Sequence, residues 1–149
     1  MTGKQHLVIA FSIACHSGNP VLIGGALLGS LLPDIDSYHS IISNVIPIQK
    51  FTGGLLMKHR GGVHSLLADI IVGGVAIKLF GVPFGVGVTV GYLSHILSDM
   101  TTNRGVTLLY PFYKKRIKLF GLSSEASGAF AMLLSMLSIC LWMKTLGLI

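Results

Sequence analysis

Five apolar runs punctuate the chain, at 7–15, 20–32, 66–80, 82–97 and 126–143, with polar residues gathered in the gaps. The first two are 9 and 13 residues long, short of the roughly 20 that carry a helix across a bilayer. SGNP at 17–20 separates them with turn residues, and Pro20 suits a first helical position, where the missing N–H would be an orphan anyway. The pair reads as a helical hairpin. The runs at 66–80 and 82–97 are joined by the tight FGVPF and read as a second hairpin, of short spanning helices. Before the fifth run, SSE at 123–125 supplies an N-cap and then an acid in the first turn. It predicts a C-terminal transmembrane helix over about 124–147. The expected fold is all-α: one membrane-embedded helical bundle over 1–149, made of two hairpins and a final transmembrane helix.

Composition supports lipid as part of the solvent. Hydrophobic residues make up 52% of the chain and charged residues only 11%, against roughly 25% charge in a soluble domain. Mean hydropathy is +0.77. The 19 glycines suit close helix packing in a membrane. A formal charge of +6 raises nucleic acid as a partner, but the basic residues lie between apolar runs and not along one polar face. With both pairs as hairpins, the N-terminus, the loop at 33–63 and the loop at 101–123 share one side. That side carries nine of the eleven Lys and Arg residues, which places it in the cytoplasm. KKRIK at 114–118 then faces anionic headgroups, and no specific nucleic acid is expected. Cys15 and Cys140, far apart inside apolar segments, read as small buried hydrophobes. The run from Leu7 to Cys15 is preceded only by Lys4, and no small-x-small cleavage site leads from it into a polar mature protein, so it is expected to stay in the protein.

The same placement sorts the residues that ligate metals. His6 opens the first helix; Asp34 and Asp36 follow the Pro33 that ends the second; His59 and His64 precede the third; His95 and Asp99 close the fourth. All seven fall at cytoplasmic helix ends, His39 lies in the loop beyond Asp36, and only His16 is at the opposite level. Residues four apart share a helix face, so Gly87, Gly91, His95 and Asp99 form one stripe. Gly25 and Gly29 form a second small-xxx-small pair on the preceding hairpin. Glycine invites a neighbouring backbone, so the stripe is expected to turn His95 and Asp99 inward. Buried ionisable groups near lipid need partners, and a shared cation supplies one. Singly, DID, HRGGVH and HxxxD are ordinary interfacial polar groups; at one depth they point to a metal. Imidazole with carboxylate suits zinc, with manganese or iron as alternatives, as one or two ions.

These segments resemble the YdjM-like family of bacterial inner-membrane proteins, described as metal-dependent hydrolases and associated with LexA regulation. The matching stretches are HLVIAFSIAC at 6–15, LLPDID at 31–36, HRGGVHSLL at 59–67, GYLSHILSDMTTNRGV at 91–106 and LLYPF at 108–112. The last helix carries no motif. The resemblance implies ligands or catalytic groups at His6, Asp34, Asp36, His59, His64, His95 and Asp99, with Arg60, Ser65, Thr102 and Gly105 as motif neighbours. Two departures stand out. Val63 replaces the threonine usual before the second histidine of HRGxTHS, and Ser37 follows LPDID where histidine is common, with His39 two residues on. Asp69, outside the pattern, reads either as an acid behind the ligands or as a snorkelling partner for a basic loop.

The expected activity is metal-dependent hydrolysis at the cytoplasmic face of the inner membrane. Asp34 or Asp99 would take a proton from water, and Arg60 would orient an anionic phosphate with its forked donors. Such a site favours a phosphoester or lipid-linked substrate. The competing reading is a non-catalytic, metal-stabilised accessory or regulatory protein with the same ligands. Transport is third, because little polar beyond Lys78 and Thr89 lies between Asp69 and Ser94.

Overall fold

Each helix begins where a side chain can take up an orphan backbone N–H. In a computed structural model, which describes residues 1–36 and 62–148, α1 spans Gly3–Ala14 behind a capping box of Thr2 and Gln5. The Asn19 side chain accepts from the N–H groups of Val21 and Leu22 to open α2, Pro20–Gly29. Ser65 caps α3, Leu66–Phe80, and Ser123 caps α5, Ser124–Thr145, each accepting three residues ahead. Between these lies α4, Val82–Met100, entered through Gly81. Gly81 has φ of 88°, which an L side chain rarely adopts, so the reversal from α3 to α4 depends on glycine. Three short 3-10 turns, Cys15–Ser17, Leu32–Asp36 and Gly62–His64, complete the helical elements. The expected all-α architecture with two hairpins and a final helix is the one observed among the described residues.

The helix lengths refine the membrane expectation. At 1.5 Å per residue, α1 and α2, with 12 and 10 residues, reach roughly 18 and 15 Å. The 15 residues of α3 reach roughly 22 Å, short of the about 30 Å hydrocarbon core. Among the described residues only α5, with 22, is both long and apolar enough to cross a membrane by itself. By that measure neither helix of the second hairpin is long and apolar enough to cross by itself, so the expected spanning of α3 and α4 is not established by length and composition. The outward face of α3 is nonetheless apolar, with Ile70, Ile71, Val75 and Leu79 exposed, and α5 exposes Leu133, Met136, Leu137 and Leu141. Cys15 is buried as expected, whereas Cys140 sits on the exposed side of α5.

The central packing is backbone against backbone. A Cβ added at Gly87 or Gly91 would collide with the carbonyl oxygens of Leu22 or Ala26. One added at Gly25 or Gly29 would collide with those of Phe84 or Val88. Both predicted small-residue stripes thus face each other across the α2–α4 interface, as in close-packed membrane helices. Below it, Tyr92, Ile96, Met100 and Val106 form a buried cluster against which Leu32, Ala68, Leu108 and Ile117 pack.

The segment at 101–123 is not a free loop. Val106 and Ile117 exchange backbone hydrogen bonds of 3.1 and 2.8 Å, and Asn103 N–H donates to the Leu122 carbonyl at 2.8 Å. This folds the basic stretch back beneath α4.

Glycine substitutions test the interface. Gly91→Ala should lower the thermal midpoint in detergent by an amount equivalent to about 1–3 kcal/mol of overpacking. Gly74→Ala, where a Cβ meets open space, should leave the midpoint unchanged or raise it.

Candidate metal centre

The close approach of α2 to α4 has a chemical result at the C-terminal ends of both helices. Ser30 caps the C-terminus of α2, where carbonyls lack helical partners. Its carbonyl oxygen accepts a 2.6 Å hydrogen bond from His95 Nδ1. That bond fixes the tautomer: with the proton on Nδ1, a neutral His95 presents a lone pair at Nε2. This atom is buried and has no hydrogen-bond partner among the described residues. It lies 3.7 Å from Asp34 Oδ1 and 3.9 Å from Asp99 Oδ2.

A second histidine is oriented by the same logic. Ser98 Oγ donates its one proton to the His95 carbonyl at 2.8 Å. Its 3.0 Å contact with His6 Nδ1 must therefore run from the imidazole N–H to the serine oxygen. His6 Nε2 is then turned to Asp99 Oδ1, at 3.7 Å. The His6 and His95 rings stack with centroids 3.6 Å apart and planes inclined by 13°. His64 meets His95 edge-on, with centroids 5.4 Å apart, and its Nε2 is 3.8 Å from Asp99 Oδ2. The α-amino nitrogen of Met1 stands 3.6 Å from Asp99 Oδ1.

His64 owes its place to two backbone anchors. Tyr92 Oη on α4 donates to the Val63 carbonyl, and Leu66 N–H donates to the Leu108 carbonyl at 2.9 Å. Val63 thus serves through its main chain at the position where the resemblance expects a hydroxyl. Ser65 donates to the Gly62 carbonyl at 2.6 Å and caps α3, so it shapes the turn that carries His64. Thr102 is buried and donates to the Asp99 carbonyl at 2.7 Å, closing the last turn of α4. Both polar neighbours act on the backbone that presents a ligand.

Five of the seven expected groups therefore converge from four separated segments: His6, Asp34, His64, His95 and Asp99. Their donor atoms form two overlapping sets, His6 with Asp34 and His95, and His64 with His95 and Asp99, each within 4.8 Å. Two ligands about 2.0–2.2 Å from zinc stand roughly 3.4 Å apart at the tetrahedral angle, and further at wider angles. Separations of 3.7–3.9 Å are too long for hydrogen bonds and close to this spacing. The residues fit a divalent ion. Of the other expected residues, Asp36 ends the Leu32–Asp36 turn, but its side chain lies outside the described residues, as do His39, His59 and Arg60 entirely.

Asp69 is buried, with Oδ1 lacking a hydrogen-bond partner among the described residues. Asp69 belongs to neither donor set. His16 lies at the far end, its ring 6.4 Å from that of Trp142. Sequence reading missed Ser98 and Ser30. The clue to Ser98 was in the pattern, since Ser94, His95, Ser98 and Asp99 share one polar side of an otherwise apolar helix. No sequence signal marks Ser30, which acts through its carbonyl.

Comparison with known proteins bears out the family resemblance. The family model described as "YdjM inner membrane protein" matches residues 1–148. The chain is 37% identical to inner membrane protein YdjM of Escherichia coli (strain K12), over 74% of this chain and 66% of that protein. Identity and coverage are the same for YdjM of Shigella flexneri. Protein YvsG of Bacillus subtilis (strain 168) is 32% identical over 74% of each chain. The chain thus spans just under two thirds of the length of the YdjM proteins it matches. No solved structure matches it. With nearly its whole length matched, the chain belongs to the YdjM family of inner membrane proteins.

Proposed function

We propose that this protein is a multi-pass inner-membrane hydrolase that uses one divalent ion, zinc in the first instance, at the cytoplasmic face. The observation that carries the reading is His95. Its Nδ1 is committed to the Ser30 carbonyl, and its buried Nε2 faces two carboxylates at 3.7 and 3.9 Å. Both overlapping donor sets include His95, and its Nε2 is the nitrogen that lies near Asp34 and Asp99. A neutral imidazole lone pair serves one ion, so the described groups support a single metal. A second would need ligands from outside the described residues.

A bound ion of this kind supplies Lewis acidity toward a phosphoryl oxygen and lowers the pKa of water toward about 7. The chain's own groups divide the remaining work by exposure. Asp99 is only 2% exposed and faces His6, His64 and His95, which suits a ligand. Asp34 is 18% exposed, so it is the acid with access to solvent and the better group to accept a proton from water. Arg60 remains the proposed phosphate-orienting group.

Charge supports the cytoplasmic assignment. Lys4, Arg104, Lys114, Lys115, Arg116 and Lys118 lie toward the metal-centre end, whereas Lys78 and Lys144 lie in the last turns of α3 and α5. Phe112 is 89% exposed beside the basic run, and Tyr113 and Phe120 are also exposed. Aromatic rings flanking a basic run suit the headgroup layer, where a lipid or phosphoester substrate presents its polar part. A second reading, a metal-stabilised accessory protein without catalysis, is favoured by the near-complete burial of His6, His64, His95 and Asp99.

Protein purified gently without chelator should contain about one equivalent of zinc or manganese, as expected for a single-ion site of this donor type. His64→Ala or Asp99→Ala should remove it, as read by elemental analysis. Ser98→Ala, which removes the hydroxyl that accepts from His6 Nδ1, should weaken metal affinity about 10–100-fold. Absence of metal from the wild-type protein would overturn the proposal.

Asp34→Asn separates the two functional readings. The hydrolase reading expects chelator-sensitive cleavage of phosphoesters by the wild type and its loss in Asp34→Asn, with metal retained. The accessory reading expects bound metal and no turnover in either protein.

A further inference from the structure

We infer that a groove between α1, α4 and α5 binds one acyl chain of a membrane glycerophospholipid and thereby delivers its phosphate end to the metal centre. The binding of the chain stands on the groove; the assignment of that lipid as substrate rests on the hydrolase reading above.

The groove has a volume of about 440 Å³, within the roughly 300–1,000 Å³ of ligand sites. Its walls include Ile9 and Ile13 of α1, Leu97 of α4, and Phe130 and Leu134 of α5. Leu97, Phe130, Leu134 and Ile13 are also exposed, so the groove opens toward the surface that lipid covers. Hydroxyl groups interrupt this wall, yet they offer a ligand few donors. Ser12 donates to the Ile9 carbonyl, Ser94 to that of Gly91, Ser98 to that of His95 and Thr101 to that of Ser98. Side chains that spend their protons within their own helix leave space without polarity. The fitting occupant is hydrocarbon.

Length and position decide which hydrocarbon. Along α5 the lining runs from Ser127 to Ser138, a rise of roughly 16 Å at about 1.5 Å per residue. One leaflet of the hydrocarbon core is about 15 Å deep, half of the about 30 Å total. An acyl chain has that reach by its nature. The groove also starts at the correct level. Ser98 lines it and accepts from His6 Nδ1, and Thr101 lines it two residues beyond Asp99. A chain seated along α5 therefore ends beside the His/Asp cluster, where the headgroup phosphate of the same lipid would stand. This gives a physical reason for α5, which carries none of the family motifs and adds no ligand, yet closes one wall of the groove.

The test is photolabelling of the full-length protein in nanodiscs of phosphatidylethanolamine and phosphatidylglycerol carrying a phospholipid with a diazirine at one acyl terminus. Lipid bordering the protein labels exposed positions such as Leu133 and Leu137 on α5, which lie outside the groove. Chain seated in the groove labels Ser12 and Ser135, which line it and are each only 3% exposed. Label concentrated at Ser12 and Ser135 is the expected result, lost in Ala131→Trp, which fills the groove, with bound metal unchanged. Ser94→Leu gives a second filling variant, and the wild-type pattern decides should neither fold. Label confined to the outer face, or a groove labelled only through cross-links to another polypeptide, overturns the inference. So does displacement by a polyprenyl phosphate but not by added phospholipid. Groove label without bound metal sinks the hydrolase reading alone; bound metal without groove label sinks this site alone. Equal turnover of phosphoesters with and without an acyl chain removes the substrate assignment and leaves the bound lipid.

Discussion

The contact on which the rest of the molecule depends is the side-chain-free crossing of α2 and α4. Four glycines, Gly25, Gly29, Gly87 and Gly91, let each backbone occupy the space that Cβ atoms would fill on the other. The consequence is positional as well as energetic. Because Gly91 admits α2 so closely, the Ser30 carbonyl reaches His95 Nδ1, one turn further along α4. A larger residue at Gly91 would push that carbonyl away, and His95 would lose both its orientation and its tautomer.

From that crossing the centre assembles outward by short steps. His95 and Asp99 stand one turn apart on α4, and Ser98 between them reaches His6 on α1. Tyr92, one turn before Ile96 in the same helix, holds the turn that carries His64. A single rigid helix thus carries or positions most of the site, and the contributions from α1, the Leu32–Asp36 turn and the Gly62–His64 turn are registered against it. This is the support that a metal site needs if its ligands are to keep their geometry while the surrounding lipid moves.

How far the sequence foretold this follows from what periodicity encodes. The spacing of Gly87, Gly91, His95 and Asp99 placed four residues on one face and predicted which way that face turns, because helical geometry makes the inference local. The convergence of His6, Asp34 and His64 on it was legible only as a shared depth. Common depth does not imply common azimuth, so contact had to come from structure. The bounds of α3 coincide with the apolar run at 66–80, but an apolar run marks lipid contact or burial without fixing how much bilayer it crosses. The fold of 101–123 against α4 was not legible, because it rests on backbone pairs such as Val106 with Ile117 whose side chains carry no turn signature.

The tautomers bear on what kind of centre this is. Both His6 and His95 direct their N–H groups outward, to Ser98 and Ser30, and so turn acceptor lone pairs toward the carboxylate of Asp99. Acceptors facing an anion repel one another, and burial in a low-dielectric interior strengthens that repulsion. Were these histidines present only to solvate Asp99, the stable arrangement would reverse both rings and point N–H groups at the carboxylate. The outer hydrogen bonds instead hold the neutral rings in an orientation that becomes favourable when a positive charge, an ion or a proton, lies between ring and carboxylate. The ammonium of Met1, beside Oδ1, supplies some of it from one side. It offers nothing that would accept the lone pairs of His6 and His95 together with both Asp34 and Asp99. A divalent ion among the four would, and it would make the outward hydrogen bonds and the inward acceptors parts of one favourable arrangement.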